Sequence, residues 1–542
     1  MHFAGDDEAT NHFKVVHLSG SSLLLGARNV VYNISLDTMK ENKRIHWPAE
    51  EGDMKICGFK QKTTDECQNY IRVIAPTESG GFLVCGTNAF KPSCRKYMDM
   101  PDMTYKLLAS ESGLAKCPFD PTHNNTALYA GDRFFSATVS DMSARDALIY
   151  SDSVRTVQHD SQWLNEPDFV SSFEHEDKVY FFFRETAVEY INCGKARFSR
   201  VARVCKNDRG GERMLRNTFT SFFKARLNCS IPGEYPFYFD EIQSTSDIGK
   251  GNVIPSVVLS DRETMIYAVF TTPQNSIGGS AVCAFRFSDV LKTFEGPFKE
   301  QKSASSNWLP VKESEHPIPH PAKTCINDSY NIQSSHLNFI KTHPLMDKAV
   351  PTFGGAPILY SASFNYRMTT IAIDWQFRAA DDRYYDILFI GTDHGHVLKA
   401  INKGSITSMD PVIIEDLEVF PNQPVLELKV YRNFGAGEEK LIVVSANQIQ
   451  NIPLHRCQIH PTCTACVAAQ DPYCAWFNGA CAKTNTRSVY FSGIKFDCEY
   501  LNFFNSGSIQ SLQTGEHPQC PESELKDPGI ILFEVYLFYF YK

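Results

Sequence analysis

The 542-residue sequence predicts an all-β fold, a seven-bladed β-propeller followed by a small disulfide-rich module. Three observations lead to this prediction. Seven similar hairpin patterns recur between residues 21 and 454. Aromatic residues make up 12% of the chain, including 39 Phe and 23 Tyr, and flat rings pack well on wide pleated sheets. Seven cysteines are concentrated between residues 457 and 520.

Each hairpin pattern consists of an apolar run, a turn containing Gly, Ala, Asn or Asp, and a second apolar run. The seven lie at 21–36, 80–90, 126–139, 178–191, 265–287, 385–401 and 440–454. Repetition of a small sheet at spacings of about 40–50 residues plus loops is typical of propeller blades. Two unrelated β-sandwiches are the alternative interpretation.

The regular spacing of the hairpin patterns is interrupted between residues 287 and 385, where the Pro-rich stretch SEHPIPHPAKTC indicates a loop. An insertion in one blade would explain the gap. Helical patterns are sparse. The best candidate is 211–227, where Leu215, Phe219, Phe222, Phe223 and Leu227 stand at near-helical spacing.

The cysteines around CVAAQDPYCAW (466–476) could hold zinc, perform redox chemistry or form disulfides. Zinc would need a second close ligand pair beside Cys463 and Cys466, but Cys474 and Cys481 are six residues apart. A redox pair belongs in a thioredoxin-like βαβ unit, and none surrounds this stretch. The pattern therefore favours structural disulfides.

Seventeen cysteines and four N-glycosylation sequons indicate the secretory route. The sequons begin at Asn33, Asn124, Asn228 and Asn327. The first residues, MHFAGDDEATNHF, lack the features of a signal peptide, so we expect a fragment whose start lies upstream. The end of the chain, GIILFEVYLFYFYK, is shorter than the roughly 20 residues that span a bilayer.

The net charge of −9 excludes a global basic field for nucleic acid. The segment 195–226 nevertheless carries ten basic and two acidic residues, a net charge of +8. It predicts either a solvated face with internal salt bridges or a site for sulfated glycans or an acidic receptor surface.

No catalytic motif stands out. His394 and His396 could share a strand face and bind metal, but a hairpin turn centred on Asp-His-Gly explains them better because no third ligand is near. The chain has neither a Gly-x-Ser-x-Gly elbow nor a phosphate loop. We therefore expect no enzyme activity, metal or cofactor.

Several motifs carry a family resemblance. The stretch HRCQIHPTCTACVAAQDPYCAWFNGAC resembles the cysteine-rich module shared by plexins, semaphorins and integrins. The stretches CGTNAFKPSC, HDSQWLNEPDFV, KVYFFFRE, RVARVCKNDRGG, TSFFKARLNCS and FIGTDHGHVLKA resemble the semaphorin propeller. YPFYFDEIQSTSDI and VFTTPQNSIGGSAVCAF are similar to the invertebrate class 1 group, which is membrane-anchored. The resemblance covers about residues 12–521.

The resemblance implies three regions. They are a sema propeller at 1–455, incomplete at its N-terminus, a plexin-semaphorin-integrin module at 456–521, and a truncated or aberrant tail at 522–542. It also implies an extracellular ligand that binds a plexin of class A as a homodimer and signals in axon guidance and cell repulsion. Because the family's domain begins upstream, we expect the last blade to lack its closing strand and to leave an open edge.

The disulfide map is also an implication of the resemblance. The expected pairs are Cys57–Cys67, Cys85–Cys94, Cys117–Cys193, Cys205–Cys325, Cys229–Cys283, Cys457–Cys474, Cys463–Cys520 and Cys466–Cys481. Cys498 is left unpaired.

The polar loop 159–178, which lies between two blades, is our candidate for receptor contact, with simple packing between blades as the alternative. Its candidate residues are Asp160, Gln162, Trp163, Glu166, Asp168, Glu174 and His175. Two other functions stay open. A secreted propeller enzyme would show acids or histidines converging on the axis, and a plexin-like receptor fragment would share both modules.

Overall fold

The computed structural model describes residues 1–6, 12–100, 104–256, 262–303, 306–363, 365–432, 439–484, 489–491, 494–496 and 508–520. Cys498 and the predicted tail 522–542 lie outside these residues. The chain forms two compact units. The first ends at Leu454, and the second contains residues 377–385 together with the described residues from His455 onward.

The first unit begins with β1 (His2–Phe3) and continues through antiparallel sheets in sequence order. Blade 1 contains β2 (Val15–Ser19), β3 (Ser22–Gly26), β4 (Val30–Ser35) and β5 (Glu41–His46), and helix α1 (Glu51–Phe59) follows. Blade 2 contains β6 (Ile71–Pro76), β7 (Gly81–Gly86), β8 (Ser93–Asp99) and β9 (Tyr105–Ser112). Blade 3 contains β10 (Thr126–Ala130), β11 (Arg133–Val139), β12 (Ala147–Ser151) and β13 (Val154–Arg155).

Blade 4 contains β14 (Asp168–His175), β15 (Lys178–Thr186), β16 (Arg197–Cys205) and β17 (Phe223–Arg226), and the short hairpin β18 (Ser230–Ile231) and β19 (Phe237–Tyr238) follows. Blade 5 begins with β20 (Glu241–Thr245), β21 (Gly249–Gly251), β22 (Glu263–Thr271) and β23 (Ser280–Arg286). Between β23 and the last strand of blade 5 lie α2 (Phe287–Phe294), β24 (Lys299–Glu300), β25 (Leu309–Pro310) and α3 (Ser334–Thr342). That last strand is β26 (Leu359–Ser361).

Blade 6 contains β27 (Met368–Arg378), β28 (Tyr384–Thr392), β29 (His396–Asn402) and β30 (Pro411–Glu418). Blade 7 contains β31 (Glu427–Arg432), β32 (Glu439–Val444) and β33 (Ile449–Pro453). The predicted seven-bladed propeller is confirmed, and the insertion predicted from the gap after residue 287 lies in blade 5.

The central strands are buried on both faces because each blade packs against a neighbour on either side. Strand β15 shows this most clearly, since Phe181, Phe182 and Phe183 are consecutive and each is at most 1% exposed. The outermost strand of blade 2, β9, is exposed along most of its length. Because of this stacking, a central strand has a continuous apolar sequence, whereas a strand at the rim of a blade has a more polar one.

Blade 7 does not have the open edge that the sequence predicts. His2 pairs with Gln450 and Phe3 pairs with Ile449, so β1 adds a fourth strand to β31–β33. The Phe3 ring packs edge-on against Tyr32 at a centroid distance of 5.1 Å. The first half of β33 is covered in this way, since the N–H of Asn451 also donates to the carbonyl of Met1, and the Phe3 ring packs against the apolar core that blades 1 and 7 share.

The predicted helix 211–227 is wrong. Residues 211–222 form a loop, and β17 follows. Leu215 and Asn217 both have φ of 55°, a backbone conformation that no α-helix contains. The carboxylate of Asp208 accepts hydrogen bonds from the backbone N–H groups of Gly210, Thr220 and Ser221, which holds the loop closed.

The second unit contains α4 (Cys463–Ala468), β34 (Cys474–Phe477), β35 (Ala480–Lys483), β36 (Val489–Phe491) and β37 (Ile494–Phe496). The Oγ1 of Thr462 caps α4 by accepting a hydrogen bond from the N–H of Ala465. Three disulfides hold this unit, and a module of this size has little room for an apolar core of its own.

Seven disulfides are present among the described residues, and each joins a pair implied by the resemblance. They are Cys57–Cys67, Cys85–Cys94, Cys205–Cys325, Cys229–Cys283, Cys457–Cys474, Cys463–Cys520 and Cys466–Cys481.

The eighth implied pair, Cys117–Cys193, does not form. Cys117 is completely buried beside the Cys85–Cys94 disulfide, whereas Cys193 is exposed at the end of the turn before β16. Burial raises the pKa of the Cys117 thiol, so that residue stays an unreactive, protonated core side chain.

Candidate functional site

A cavity of about 750 Å³ occupies the axis of the propeller and is lined by residues of all seven innermost strands. Hydroxyl pairs join several of these strands across blade boundaries. Thr126 and Ser172 link blades 3 and 4 with Oγ1 and Oγ 2.7 Å apart, and Ser171 and Thr245 link blades 4 and 5 at the same distance. Side-chain hydrogen bonds therefore hold these innermost strands together in addition to their packing.

The acids around this cavity each have a cationic partner. Arg184 forms an ion pair with Asp168, and Lys429 lies 3.3 Å from Glu427 and 3.4 Å from Asp247. In the part of the chain that the structure describes, we find no pair of facing carboxylates without a cation between them. A hydrolase of the glycosidase type needs such a pair, so the axis does not favour the enzyme alternative.

Two cations at the same axis have no such partner. Lys14 Nζ donates to Asn124 Oδ1 at 2.8 Å, and Arg72 donates to the carbonyl oxygens of Pro121 and Ile71 at 3.1 and 3.0 Å. Neither residue is predicted from the sequence, since neither belongs to a motif and the inward direction of a side chain depends on the propeller's closure.

The seven candidate receptor-contact residues do not form one surface. Asp168 and His175 lie at opposite ends of β14, about 23 Å apart at the usual rise per residue. Asp168 is held at the axis by Arg184 and by Asn124 Nδ2. His175 packs on Phe287 at a centroid distance of 4.3 Å, and Glu174 forms an ion pair with Lys206.

The other four candidates lie together in the loop before β14. Trp163 is 0% exposed, stacks on Phe222 at 4.9 Å and donates its Nε1–H to the carbonyl of Lys341. It is a core anchor and cannot touch a partner. Asp160 and Gln162 are half-buried, and Glu166 is exposed.

The basic segment 195–226 is largely internal. Arg200 and Lys224 are completely buried and both bond to Oε1 of Glu185, at 2.9 and 2.6 Å. Arg203 is buried with its guanidinium 4.7 Å from the Phe294 ring centroid. Four further members, Lys195, Arg197, Lys206 and Arg226, form ion pairs with acids of blades 4 and 5 or of the loops beside them.

Three members of the segment remain, Arg209, Arg213 and Arg216. All three are exposed in the loop 206–222 and form no ion pair with any described residue. Net charge alone could not separate these three from the seven that serve the fold. They are the exposed part of the predicted basic surface.

The other predicted motifs serve the fold. His394 Nδ1 lies 2.9 Å from Asp393 in the turn before β29, and His396 Nδ1, at the first residue of β29, lies 2.7 Å from Asp416 of β30. No group of three or more potential ligands that could hold a metal exists among the described residues.

The four sequons differ in accessibility. Asn327 and Asn124 are exposed, although both amide atoms of Asn124 are engaged by Lys14 and Asp168. Asn228 is half-buried. Asn33 is only 6% exposed.

Comparison with known proteins identifies the family to which this fold belongs. The Sema domain model matches residues 250–432, and the Plexin repeat model matches residues 456–501. Semaphorin-1A of Schistocerca americana is 48% identical over 96% of this chain and 71% of its own length. In the residues that the structure describes, no helix has the length and apolar character required to cross a bilayer.

Two solved structures match nearly the whole chain. The extracellular domains 1–2 of Drosophila Semaphorin 1a are 44% identical, with a TM-score of 0.84 over 96% of this chain and 99% of that one. A structure of Drosophila Plexin A in complex with Semaphorin 1b matches with 41% identity and a TM-score of 0.84, over 95% of this chain and 96% of that one. The chain, which is similar to the extracellular domains 1–2 of Drosophila Semaphorin 1a, belongs to the semaphorin family.

Proposed function

We propose that this chain is an extracellular ligand that binds the ectodomain of a plexin of class A through its propeller and signals as a homodimer in axon guidance and cell repulsion. The observation that carries the proposal is the 41% identity, over 95% of the chain, to a semaphorin solved in complex with Plexin A. Semaphorins are signalling ligands rather than enzymes, so family membership disfavours the propeller-enzyme alternative. A 48% identical semaphorin likewise disfavours a receptor fragment.

The surface best suited to an acidic receptor is an arginine face formed by Arg209, Arg213 and Arg216. Its loop is anchored at both sides. The carbonyl of Asn217 accepts a hydrogen bond from the N–H of Arg155, and Phe222 stacks on Trp163. A loop fixed in this way loses little conformational entropy on binding, and three unpaired cations favour encounter with a negatively charged surface.

The first experiment is a binding measurement on an immobilised plexin ectodomain. The variant Arg213→Glu/Arg216→Glu should weaken binding by about tenfold or more, because charge reversal turns attraction into repulsion. The matched control is Lys55→Glu/Lys60→Glu, which makes the same change in net charge on an exposed part of α1 and the residue after it. The control should bind like the unmodified chain.

The outcomes separate the proposals. Equal losses in both variants would attribute the effect to long-range charge and would overturn the arginine face. Loss of heparin binding together with unchanged plexin binding would assign the face to sulfated glycans instead. No binding of the folded chain to any plexin of the same organism would overturn the ligand proposal.

The homodimer rests on the family resemblance and is not assigned to particular residues. Sedimentation of the purified chain over a wide concentration range tests it. Multivalency would make a dimer effective, since two linked ligands hold two receptors together without any new contact. A chain that stays monomeric and still clusters plexin would contradict this part of the proposal.

A further inference from the structure

Arg72 occupies an unusual position at the start of β6. The register of β6 against β7 runs from Ile71 opposite Gly86 to Val73 opposite Cys85, so Arg72 is the extra residue of a β-bulge. Bulges re-aim a side chain and are over-represented beside functional sites. Arg72 lines the axial cavity and is 5% exposed.

The guanidinium of Arg72 has only neutral acceptors. They are the carbonyl oxygens of Pro121 and Ile71, and the Tyr70 ring lies 5.3 Å away. Among the described residues, no carboxylate lies within 4 Å of it. Burying a guanidinium without a counter-charge costs free energy that two neutral hydrogen bonds only partly offset.

Lys14 faces the same cavity from the residue before β2. Its ammonium donates to Asn124 Oδ1, and the acid that influences it, Asp168, is already held by Arg184 and by the amide of the same Asn124. Burial and the nearby charge of Arg72 lower the pKa of Lys14 to about 8. The remaining charges that line the cavity are all paired, Arg184 with Asp168 and Lys429 with both Glu427 and Asp247, and these five groups sum to −1. Lys14 and Arg72 therefore leave the lining as a whole with an excess of one positive charge.

We propose that the axial cavity is a binding site for a small oxyanion, sulfate or phosphate, free or as the terminal group of a small molecule, held between Lys14 and Arg72. The guanidinium fork matches an oxyanion with two parallel N–H donors, and the ammonium supplies a point charge. The two cations without carboxylate partners give the lining its positive excess and supply the donors that such an anion requires, and the volume of about 750 Å³ leaves room for an attached small group. The site is independent of the receptor proposal and lies on the axis rather than on the arginine face.

Titration calorimetry of the purified chain with sulfate and with phosphate is the first test. Sulfate stabilises most proteins by exclusion from their surface, so a saturating heat of binding is the readout rather than thermal stability. We expect one saturable site that Lys14→Met weakens at least tenfold. The control Lys55→Met removes an exposed cation and should leave the affinity unchanged. Equal affinity in Lys14→Met, or no saturation in the unmodified chain, would overturn the proposal.

A pH series adds a second readout. The groups facing Lys14 are Arg72 from β6, Asp168 from β14 and Asn124 from the loop before β10. Because the anion binds the charged form of Lys14, raising the pH from 7 to 9 should weaken sulfate binding by up to tenfold in the unmodified chain. Lys14→Met should lack this dependence, and an equal dependence in both proteins would count against the site.

Location is tested by crystals of the chain soaked in selenate, whose selenium gives an anomalous signal. The expected peak lies between Lys14 Nζ and the Arg72 guanidinium. A peak elsewhere, or none at a saturating concentration, would overturn the assignment. Arg72→Gln is the companion variant. If it fails to fold, Lys14→Met keeps the proposal testable because that side chain is only partly buried.

Discussion

Blade 4 and the axial cavity both bury cations, but only the cations of blade 4 have carboxylate partners. In blade 4, Arg200 and Lys224 share Oε1 of Glu185, and Arg200 also bonds to Glu189 at 2.7 Å. Two cations therefore meet two carboxylates, and the cluster is neutral. At the axis, Lys14 and Arg72 meet only carbonyl and amide oxygens.

The pKa values of the two buried guanidinium groups reflect this difference, since Glu189 and Glu185 raise the pKa of Arg200 despite its burial. Lys224 does not follow it, because burial lowers the pKa of this ammonium even beside Glu185. Burial alone would raise the pKa of Glu189, but the Arg200 guanidinium outweighs it and lowers that pKa to about 2. At the axis, burial lowers the pKa of Arg72 to about 10, and the charge of Asp120, which forms no ion pair with Arg72, opposes the lowering only in part. A buried cation alone therefore does not indicate a binding site, whereas a buried cation without a counter-charge, facing a cavity, does.

The largest expected effect is in blade 4. Glu185→Gln removes the carboxylate shared by two completely buried cations and leaves them in a medium that solvates charge poorly. We expect the free energy of unfolding to fall by about 3–5 kcal/mol, the usual cost of breaking a buried ion pair from one side. Chemical denaturation of the secreted variant measures this free energy of unfolding. A large fall in the secreted yield would also support the predicted loss of stability.

The control for this prediction is an exposed ion pair of the same segment. Glu166 lies 3.1 Å from Lys195 and both side chains are about two-thirds exposed or more. Glu166→Gln should change the free energy of unfolding by less than about 1 kcal/mol. A Glu185→Gln variant as stable as Glu166→Gln would mean that the blade 4 cluster does not depend on its charge balance.

Two sequon asparagines give a similar comparison for neutral groups, because one is buried with hydrogen-bond partners and the other is exposed. Asn33 Nδ2 donates to Tyr105 Oη at 2.8 Å and its Oδ1 accepts from Asn42 at 3.0 Å, whereas the sequon residue Asn327 is exposed. We expect a glycan at Asn327 and none at Asn33, which mass spectrometry of glycopeptides checks. Asn33→Ala should cost about 0.5–1.5 kcal/mol because it removes the hydrogen bonds to the half-buried Tyr105 and to the exposed Asn42.

The corresponding change at the exposed sequon, Asn327→Gln, should remove one glycan and leave the free energy of unfolding within about 0.5 kcal/mol. A glycan found at Asn33 in folded protein would show that this amide is less occupied by the fold than its contacts indicate.

The sequence predicted the blades because hairpins are local. An apolar run, a turn residue and a second run determine a pair of strands without reference to the rest of the chain. The helix prediction at 211–227 failed for the opposite reason. The spacing of Phe219, Phe222 and Phe223 is set by packing into blade 4, and the loop is closed by Asp208, whose role no local pattern shows.

The candidate site was harder to predict because its residues meet only through closure of the ring. Lys14 and Arg72 are 58 positions apart and carry no motif. Trp163, which looked like an exposed aromatic contact, is an anchor for α3 through its indole N–H. The family resemblance implied the seven disulfide pairs correctly but not the free, buried state of Cys117. Its burial beside Cys85–Cys94 depends on tertiary packing that the sequence does not show.

The smallest predicted effect, the pH dependence of stability that Lys14 contributes, tests the comparison of blade 4 with the axial cavity most directly. The pKa of Lys14 is about 8 in the folded chain and about 10.4 in an unfolded one. The unfolded state therefore binds more protons between these values, so the free energy of unfolding should rise as the pH rises from about 8 to about 9.5. The contribution of Lys14 is about 1 kcal/mol over that range.

Denaturation of the unmodified chain and of Lys14→Met, in buffers free of sulfate and phosphate, measures this contribution as the difference between the two proteins. Groups common to both, such as the buried tyrosines, cancel. Saturating sulfate should abolish the difference, because a bound anion gives Lys14 the counter-charge that Glu189 and Glu185 give Arg200. If the two proteins respond to pH in parallel without sulfate, then Lys14 is as well compensated as Arg200 in blade 4, and the distinction between the two regions fails.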